Sequence, residues 1–184
     1  RDLVRSRGLG DVYKRQEYHP LVLSVPQLTR GQSETVLAAK KFIDNDTPLL
    51  IHNADTAYKI DDAWLEDLEK LKPDGALLVF HATEKRWSFS REDPTGRVVE
   101  VREKVPISNW ASSGTYYFAR GSDFVRFSQA AIERGRTEVN EFYIAPLYNE
   151  LISKGGFVKN YKIQQLFCFG TPEDLKSALK RLES

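Results

Sequence analysis

The sequence predicts an α/β domain with a mostly parallel sheet, and three observations lead to that fold class. Two short runs, Pro48–His52 and Ala76–Phe80, are apolar on both faces, as buried parallel strands are. An amphipathic stretch, Asp61–Leu71, lies between them and gives a strand–helix–strand alternation. The chain has 184 residues and contains no repeat or low-complexity linker, so one compact core is expected.

The elements of the first half follow from local pattern. Leu21–Val25 is a short apolar run before a proline and predicts a strand. Ser33–Ile43 has apolar residues at helical spacing, and Ser33 is a candidate N-cap. The helix predicted over Asp61–Leu71 ends at the Lys-Pro-Asp-Gly turn of residues 72–75.

In the second half, a turn at residues 93–96 separates two strand patterns, Trp87–Ser90 and Arg97–Val101. These patterns predict an antiparallel pair inserted into the alternation. The remaining predicted elements are two strands, Ser113–Phe118 and Phe157–Ile163, and three helices, Ser122–Arg134, Glu141–Ser153 and Thr171–Leu182.

Composition excludes several classes of protein. No apolar run approaches the roughly 20 residues of a membrane-spanning helix, so a membrane protein is not expected. A single cysteine cannot form an internal disulfide, and no signal peptide is recognisable, so a cytoplasmic location is expected.

The basic excess is confined to residues 1–16. This segment holds five Lys and Arg against two Asp, and the rest of the chain holds 22 basic and 24 acidic residues, so nucleic-acid binding is not expected. It lacks any helical or strand period and resembles translated sequencing adapter. We therefore predict that residues 1–16 are not native and that residues 17–184 are a partial domain; a basic native arm is the alternative.

Asp55 is the first candidate for chemistry. It follows the run Pro48–His52, and ligands of open α/β sheets bind beyond the carboxyl ends of strands. A carboxylate in this position is suited to hold Mg²⁺ against a phosphate. The competing interpretation is that Asp55 only caps a turn.

Three further groups are candidates for binding or for structural roles. Lys104 offers a charge for a phosphate and Glu103 an acceptor for hydroxyl groups, although the pair is also typical of a solvated surface. Gly31-Gln32-Ser33 precedes a helix, where backbone N–H groups attract anions. His52 and His81 each end an apolar strand, and their spacing favours core or positioning roles over zinc binding.

Four segments spread over most of residues 18–182 carry a resemblance. They are Thr29–Leu37, the PLLIHNAD run ending at Asp55, Glu103–Phe118, and the GTPEDL run of Gly170–Leu175. Together they resemble the sugar-phosphate nucleotidyltransferases, the family that includes glucose-1-phosphate thymidylyltransferase. The variant Val139–Tyr143 is closest to the branch found in capsule and surface-polysaccharide clusters.

The resemblance implies a Rossmann-like three-layer fold with a mixed sheet, and transfer of a nucleotidyl group from a nucleoside triphosphate to a sugar 1-phosphate. It implies Mg²⁺ as the cofactor and two catalytic residues, Asp55 for the metal and Lys104 for the sugar phosphate. The implied substrate-binding residues are Glu103 and Gly114 at the sugar, Gln32 near the base, and Gly31 and Asn53. The expected partners are the two substrates, with a second copy of the chain as a further candidate.

Two departures from the family pattern affect these expectations. The glycine-rich phosphate loop, G-x-G-x-R with a following P-K, and the first strand that carries it have no counterpart in the sequence. Cys168 stands where the family has its second metal aspartate, and without the resemblance it is expected to be buried and inert. We therefore expect this chain to be inactive by itself.

Two alternatives remain. A nucleotide-sugar glycosyltransferase of related fold would carry Asp-x-Asp, but Asp55 is followed by Thr56-Ala57. A non-catalytic domain that binds a nucleotide-sugar would explain both departures.

Overall fold

The computed structural model of the chain describes residues 20–135, 137 and 140–182, so the prediction for residues 1–16 lies outside the described part. Its strands are β1 (Leu49–His52), β2 (Thr56–Lys59), β3 (Gly75–His81), β4 (Ser88–Glu92), β5 (Val98–Glu103), β6 (Trp110–Phe118), β7 (Val158–Lys162) and β8 (Gln165–Cys168). Its helices are α1 (Gln32–Leu37), α2 (Lys40–Ile43), α3 (Ala63–Leu71), α4 (Gly121–Glu133), a 3₁₀ turn (Ala145–Leu147), α5 (Tyr148–Ser153) and α6 (Pro172–Leu182).

The main sheet has six strands in the order β5-β4-β6-β3-β7, with β1 also paired to β6. The mixed sheet and the inserted antiparallel pair β4–β5 are confirmed. The expectation of a mostly parallel sheet is wrong, because β3 and β7 are the only strands of the described residues that pair in parallel. The cause is β6, which runs antiparallel to β1, β3 and β4 and lies against all of them.

Each face of the main sheet has its own apolar core. On one face, Leu77 and Phe118 pack with Phe124 of α4 and Tyr148 of α5. On the other face, Leu78 packs with residues of α3, β8 and the chain around them, which are Trp64, Leu68, Ile163 and Leu166. This is the three-layer arrangement that the sequence predicts.

Two apolar segments are more exposed than their composition suggests. Pro48–His52 was expected to be a central strand, yet β1 pairs only with β6 in the described part, and Leu50 is 51% exposed. Leu21–Val25 forms no strand and its side chains are exposed. A strand needs hydrogen-bonded neighbours to satisfy its backbone. Within the described residues, β1 has such a neighbour on one edge, and Leu21–Val25 has none.

Two predicted helices are shorter than expected. Ser33–Ile43 divides into α1 and α2, with a turn at residues 38–39. Glu141–Ser153 becomes helical only at Ala145, where Pro146 sits in the first turn. No helix of the described part is long and apolar enough to cross a membrane.

Strand direction determines which residues share an edge of the sheet. β1, β3 and β4 are antiparallel to β6, and β7 is parallel to β3, so these four strands end at one edge of the sheet. That edge also contains the first residues of β6. A second sheet, the antiparallel pair β2–β8, adjoins it.

Candidate functional site

A cavity of ≈ 300 Å³, here called the central cavity, lies beside the middle of β6, between the end of β1 and the first residue of β4. Six of the seven predicted site residues line it, namely Gln32, Asn53, Asp55, Glu103, Lys104 and Gly114. The seventh, Gly31, precedes Gln32 in the chain and is not part of the lining. The six predicted residues therefore meet in one place, although Gln32 and Gly114 are 82 positions apart in sequence.

Gly114 shapes the wall that β6 contributes. The β3–β6 register changes between Leu78–Thr115 and Val79–Ser112, which leaves Ser113 and Gly114 as a bulge. Gly114 has φ +84, and a Cβ there would lie 2.6 Å from Asn53 Nδ2. Its carbonyl accepts a 2.9 Å hydrogen bond from the backbone N–H of Asn53. Both the left-handed conformation and the close contact require glycine at this position.

Glu103 is a buried carboxylate at the end of β5. It is 4% exposed, and the hydroxyl of Ser88 donates a hydrogen bond to Oε2. Burial raises the pKa of the neighbouring Tyr116 to about 12, and the negative charge of Glu103 adds to that rise. This wall of the central cavity thus combines the buried hydroxyl group of Tyr116 with the carboxylate of Glu103, which can accept hydrogen bonds from hydroxyl groups.

Lys104 follows Glu103 in a left-handed conformation, with φ +56, which is uncommon for a residue with a side chain. Its ammonium donates a 2.8 Å hydrogen bond to the hydroxyl of Tyr143 and lies 5.0 Å from the centre of that ring. The hydrogen bond that Lys104 donates to Tyr143 is the main reason that the pKa of Lys104 is raised. Lys104 therefore stays a cation at neutral pH.

Asp55 lies on the opposite, more exposed side of the central cavity. Its carbonyl accepts a 2.8 Å hydrogen bond from Phe169 N–H, and a Cβ at Gly170 would come within 2.9 Å of its Oδ2. The next residue, Thr56, is paired with Cys168 in the β2–β8 sheet. The position of the family's second aspartate is thus beside Asp55, as the resemblance implies.

Cys168 is half-buried and lines the central cavity, so the expectation of a fully buried thiol is wrong. Burial is the main cause of its raised pKa, and the charge of Asp174 also raises it. Among the described residues, no group of three or more His, Cys, Asp and Glu side chains is arranged to hold a metal ion.

The start of α1 brings Gln32 to the cavity. Gly31 has φ +138 and packs so closely on Phe142 that a Cβ would lie 2.6 Å from its backbone nitrogen. Gln32 Nε2 lies 3.5 Å from Asn53 Oδ1, which is a weak hydrogen bond. Ser33 does not cap the helix as predicted; its hydroxyl donates to the carbonyl of Tyr143 at 2.9 Å.

Comparison with solved structures finds many similar chains, among them the following three. A nucleoside-diphosphate-sugar pyrophosphorylase from Vibrio cholerae RC9 superposes with a TM-score of 0.74 at 29% identity, over 93% of this chain and 76% of that chain. A glucose-1-phosphate thymidylyltransferase from Bacillus anthracis gives 0.71 at 16%, over 96% and 72%. A UDP-glucose pyrophosphorylase complexed with UDP-glucose gives 0.68 at 15%, over 85% and 63%.

The fold is that of the sugar-phosphate nucleotidyltransferases. No protein-family model matches the chain, and neither does any curated protein. The nucleotidyltransferase fold accounts for the mixed sheet.

Several residues of the central cavity were not predicted from the sequence. Trp87, Ser88 and Tyr143 line it, and so do Arg86 and Asp174, which form a bidentate ion pair with a shortest distance of 3.0 Å. The hydrogen bond from Arg86 is the main cause of the lowered pKa of Asp174. Asp174 belongs to the GTPEDL run and was therefore within reach of prediction, whereas nothing in the sequence marked Arg86.

The two strand-end histidines have structural contacts. His52 joins Thr115 Oγ1 at 2.8 Å and the carbonyl of Thr56 at 2.9 Å, so it ties β2 to the main sheet. His81 packs edge-on against Trp110, with ring centres 6.0 Å apart. These contacts agree with the positioning roles expected from the sequence.

Proposed function

We propose that the protein transfers a nucleotidyl group from a nucleoside triphosphate to a sugar 1-phosphate. In this reaction a phosphate oxygen of the sugar phosphate attacks the α-phosphorus, the bond to the β-phosphate oxygen breaks, and pyrophosphate leaves. The observation that carries the proposal is that Glu103, Lys104, Gly114 and Asp55 line one cavity. The name of the Vibrio cholerae pyrophosphorylase supports the same reaction class.

The inner wall of the central cavity, formed by Glu103, Lys104, Ser112, Ser113 and Gly114, is suited to the sugar phosphate. The Lys104 ammonium supplies a charge-assisted hydrogen bond to the phosphate. Glu103 accepts from a sugar hydroxyl, and the backbone at the Gly114 bulge offers polar groups without a side chain in the way. Gln32 and Asn53 are proposed to face the nucleotide.

The charges around the central cavity support a role for Mg²⁺. Its lining contains three carboxylates, Asp55, Glu103 and Asp174, and two cations, Lys104 and Arg86. Two phosphorylated reactants cannot be neutralised by that set alone. Mg²⁺ often binds through one or two carboxylates together with substrate phosphates and water, and Asp55 fits such a metal carried in by the nucleotide. When bound, Mg²⁺ would neutralise the charge that develops on the phosphates.

A role in nucleotide-sugar synthesis for surface polysaccharide, and the inactivity of this 184-residue chain, are also proposals. The first rests on the resemblance of Val139–Tyr143, and the second on the phosphate loop that the sequence lacks.

The test combines binding with turnover. Isothermal titration of the folded chain with glucose 1-phosphate and other hexose 1-phosphates is expected to show binding, and a pyrophosphate-release assay with each nucleoside triphosphate is expected to show none. Absence of binding to any sugar 1-phosphate would contradict the proposed site. Turnover would contradict only the proposed inactivity, and cleavage of a nucleotide-sugar without pyrophosphate would favour a glycosyltransferase.

A further inference from the structure

A second cavity of ≈ 550 Å³, here called the side cavity, adjoins the central cavity. Arg86, Trp87, Cys168 and Asp174 line both cavities, so they form a partition with one cavity on each side. Both volumes lie within the usual range for small-molecule sites. The sequence analysis assigned no function to this region.

Three strands bring the walls of the side cavity together. His81 ends β3, Trp110 begins β6 and Lys162 ends β7, and the sheet register places His81 opposite Trp110 and Val79 opposite Lys162. The Lys162 ammonium lies 4.4 Å from the centre of the Trp110 ring. A cation is therefore held on an aromatic face at the mouth of the cavity.

The charge of the side cavity differs in sign from that of the central cavity. Its lining contains three cations, Arg86, Lys162 and Arg181, and two carboxylates, Glu84 and Asp174. Asp174 is already engaged by Arg86 in the bidentate pair. Cys168 also belongs to the partition. An aspartate at this position would add a negative charge, and the thiol does not, so the partition remains favourable to an anion.

The side chain of Arg86 is the part of the partition that is open to solvent. The Arg86 side chain is 51% exposed and reaches Asp174 across the gap between the β3–β4 loop and α6. Arg86 binds Asp174 through its two terminal nitrogens, and a guanidinium has five N–H donors, so Arg86 can also bind a second anion. A ligand that contacts Arg86 and Trp87 in the central cavity therefore lies next to the side cavity.

We propose that the natural sugar substrate carries a second anionic group, a phosphate or a carboxylate on the part of the ring remote from the 1-phosphate, and that the side cavity binds it through Lys162 and Arg86. This inference rests on the proposed function, because it takes the central cavity as the site of the 1-phosphate. It narrows the substrate class from sugar 1-phosphates in general to acidic or doubly phosphorylated ones.

The experiment compares α-D-glucose 1-phosphate with α-D-glucose 1,6-bisphosphate by isothermal titration of the 184-residue chain. We expect the bisphosphate to bind at least tenfold more tightly. In Lys162→Gln that preference is expected to fall to about threefold or less, while the affinity for the monophosphate changes less than twofold. Lys180→Gln, on the exposed surface of α6 and outside both cavities, is the matched control and is expected to keep the full preference.

The other outcomes separate the two proposals. Equal affinities for the two ligands, or a preference that survives in Lys162→Gln, overturn the inference and leave the proposed function standing. Absence of binding by both ligands overturns both proposals. Lys104→Ala is expected to weaken both ligands by the same factor; a loss confined to the bisphosphate would show that Lys104 binds the second anion and would overturn the assignment. Glucuronic acid 1-phosphate in place of the bisphosphate distinguishes a carboxylate from a phosphate.

Discussion

The two walls of the central cavity are built in different ways. The inner wall lies within the six-stranded sheet, where Glu103 is 4% exposed and Ser113 is fully buried. The outer wall, formed by Asp55, Cys168 and Gly170, belongs to the β2–β8 pair and the turns beside it, and Asp55 and Gly170 are exposed. The inner wall is therefore shielded from solvent, whereas the outer wall is open to it. A ligand of the inner wall therefore meets a site that is already formed.

The largest expected effect is on the inner wall, from Gly114→Ala. A Cβ there would meet Asn53 at 2.6 Å in a left-handed backbone conformation, so we expect the free energy of unfolding to fall by roughly 2–4 kcal/mol. Gly96→Ala is the matched control, because Gly96 has a similar φ of +82 but no atom within 4 Å of the added Cβ. Urea denaturation of both variants measures the difference, and equal losses would show that the contact with Asn53 is unimportant.

The next effect is on ligand binding. Lys104→Ala removes the ammonium that faces the proposed phosphate, and a charge-assisted hydrogen bond of this kind corresponds to roughly a tenfold to hundredfold rise in the dissociation constant for glucose 1-phosphate. Lys85→Ala, which is exposed and outside the cavity lining, controls for the loss of net charge. Similar weakening in both variants would argue for a general charge effect instead of a site.

A smaller effect is expected at the outer wall. Asp55→Asn should change the affinity for glucose 1-phosphate less than about threefold without metal, because Asp55 is proposed to act through a metal carried by the nucleotide. The same substitution is expected to abolish any gain in nucleoside triphosphate binding that Mg²⁺ gives to the wild-type chain. Titrations with and without Mg²⁺ measure both quantities, with Asp62→Asn on the surface as control. A large loss of sugar-phosphate binding in Asp55→Asn would remove the distinction between the walls.

The smallest effect is on the pH dependence of stability, which measures how well the inner wall excludes water. Burial raises the pKa of Tyr116 to about 12 in the folded protein from 10.0, so the unfolded chain ionises first. Stability from this group is complete below pH 10 and is lost as the pH rises from 10 towards 12. Tyr148 and Tyr161, whose pKa values burial also raises, act in the same direction.

The free energy of unfolding of the wild type is expected to fall between pH 8 and pH 10.5. We expect the fall in Tyr116→Phe to be smaller by about 1 kcal/mol. Chemical denaturation at both pH values provides the measurement. Identical losses in the two proteins would mean that Tyr116 is reached by solvent.

Much of the site was predictable because the sequence marks it locally. Asp55 follows an apolar strand, and Glu103-Lys104 ends another, so strand ends alone selected three residues of the central cavity. Gly114 could be selected from the resemblance, but its reason is tertiary, because only the fold brings Asn53 against it. Arg86 and Tyr143 have partners 88 and 39 residues away, and no local pattern reports such contacts.

The errors in the predicted fold have one main cause. Apolar residues on both faces of a strand indicate burial, and they were taken to indicate parallel pairing as well. Whether two strands pair in parallel depends instead on the path of the chain between them. β6 returns antiparallel beside β1 and β3, which no composition of PLLIH or ALLVF could indicate. The short strands β2 and β8, TAYK and QLFC, were missed because four residues are too few to establish a period.

The central claim is that the inner wall binds a sugar 1-phosphate, and a crystal structure of the chain soaked with glucose 1-phosphate tests it most directly. The account predicts phosphate oxygens within hydrogen-bond distance of Lys104 Nζ and a sugar hydroxyl on the carboxylate of Glu103. Sugar phosphate bound elsewhere, with Lys104 still bound to Tyr143 and Glu103 still bound to Ser88, would contradict it.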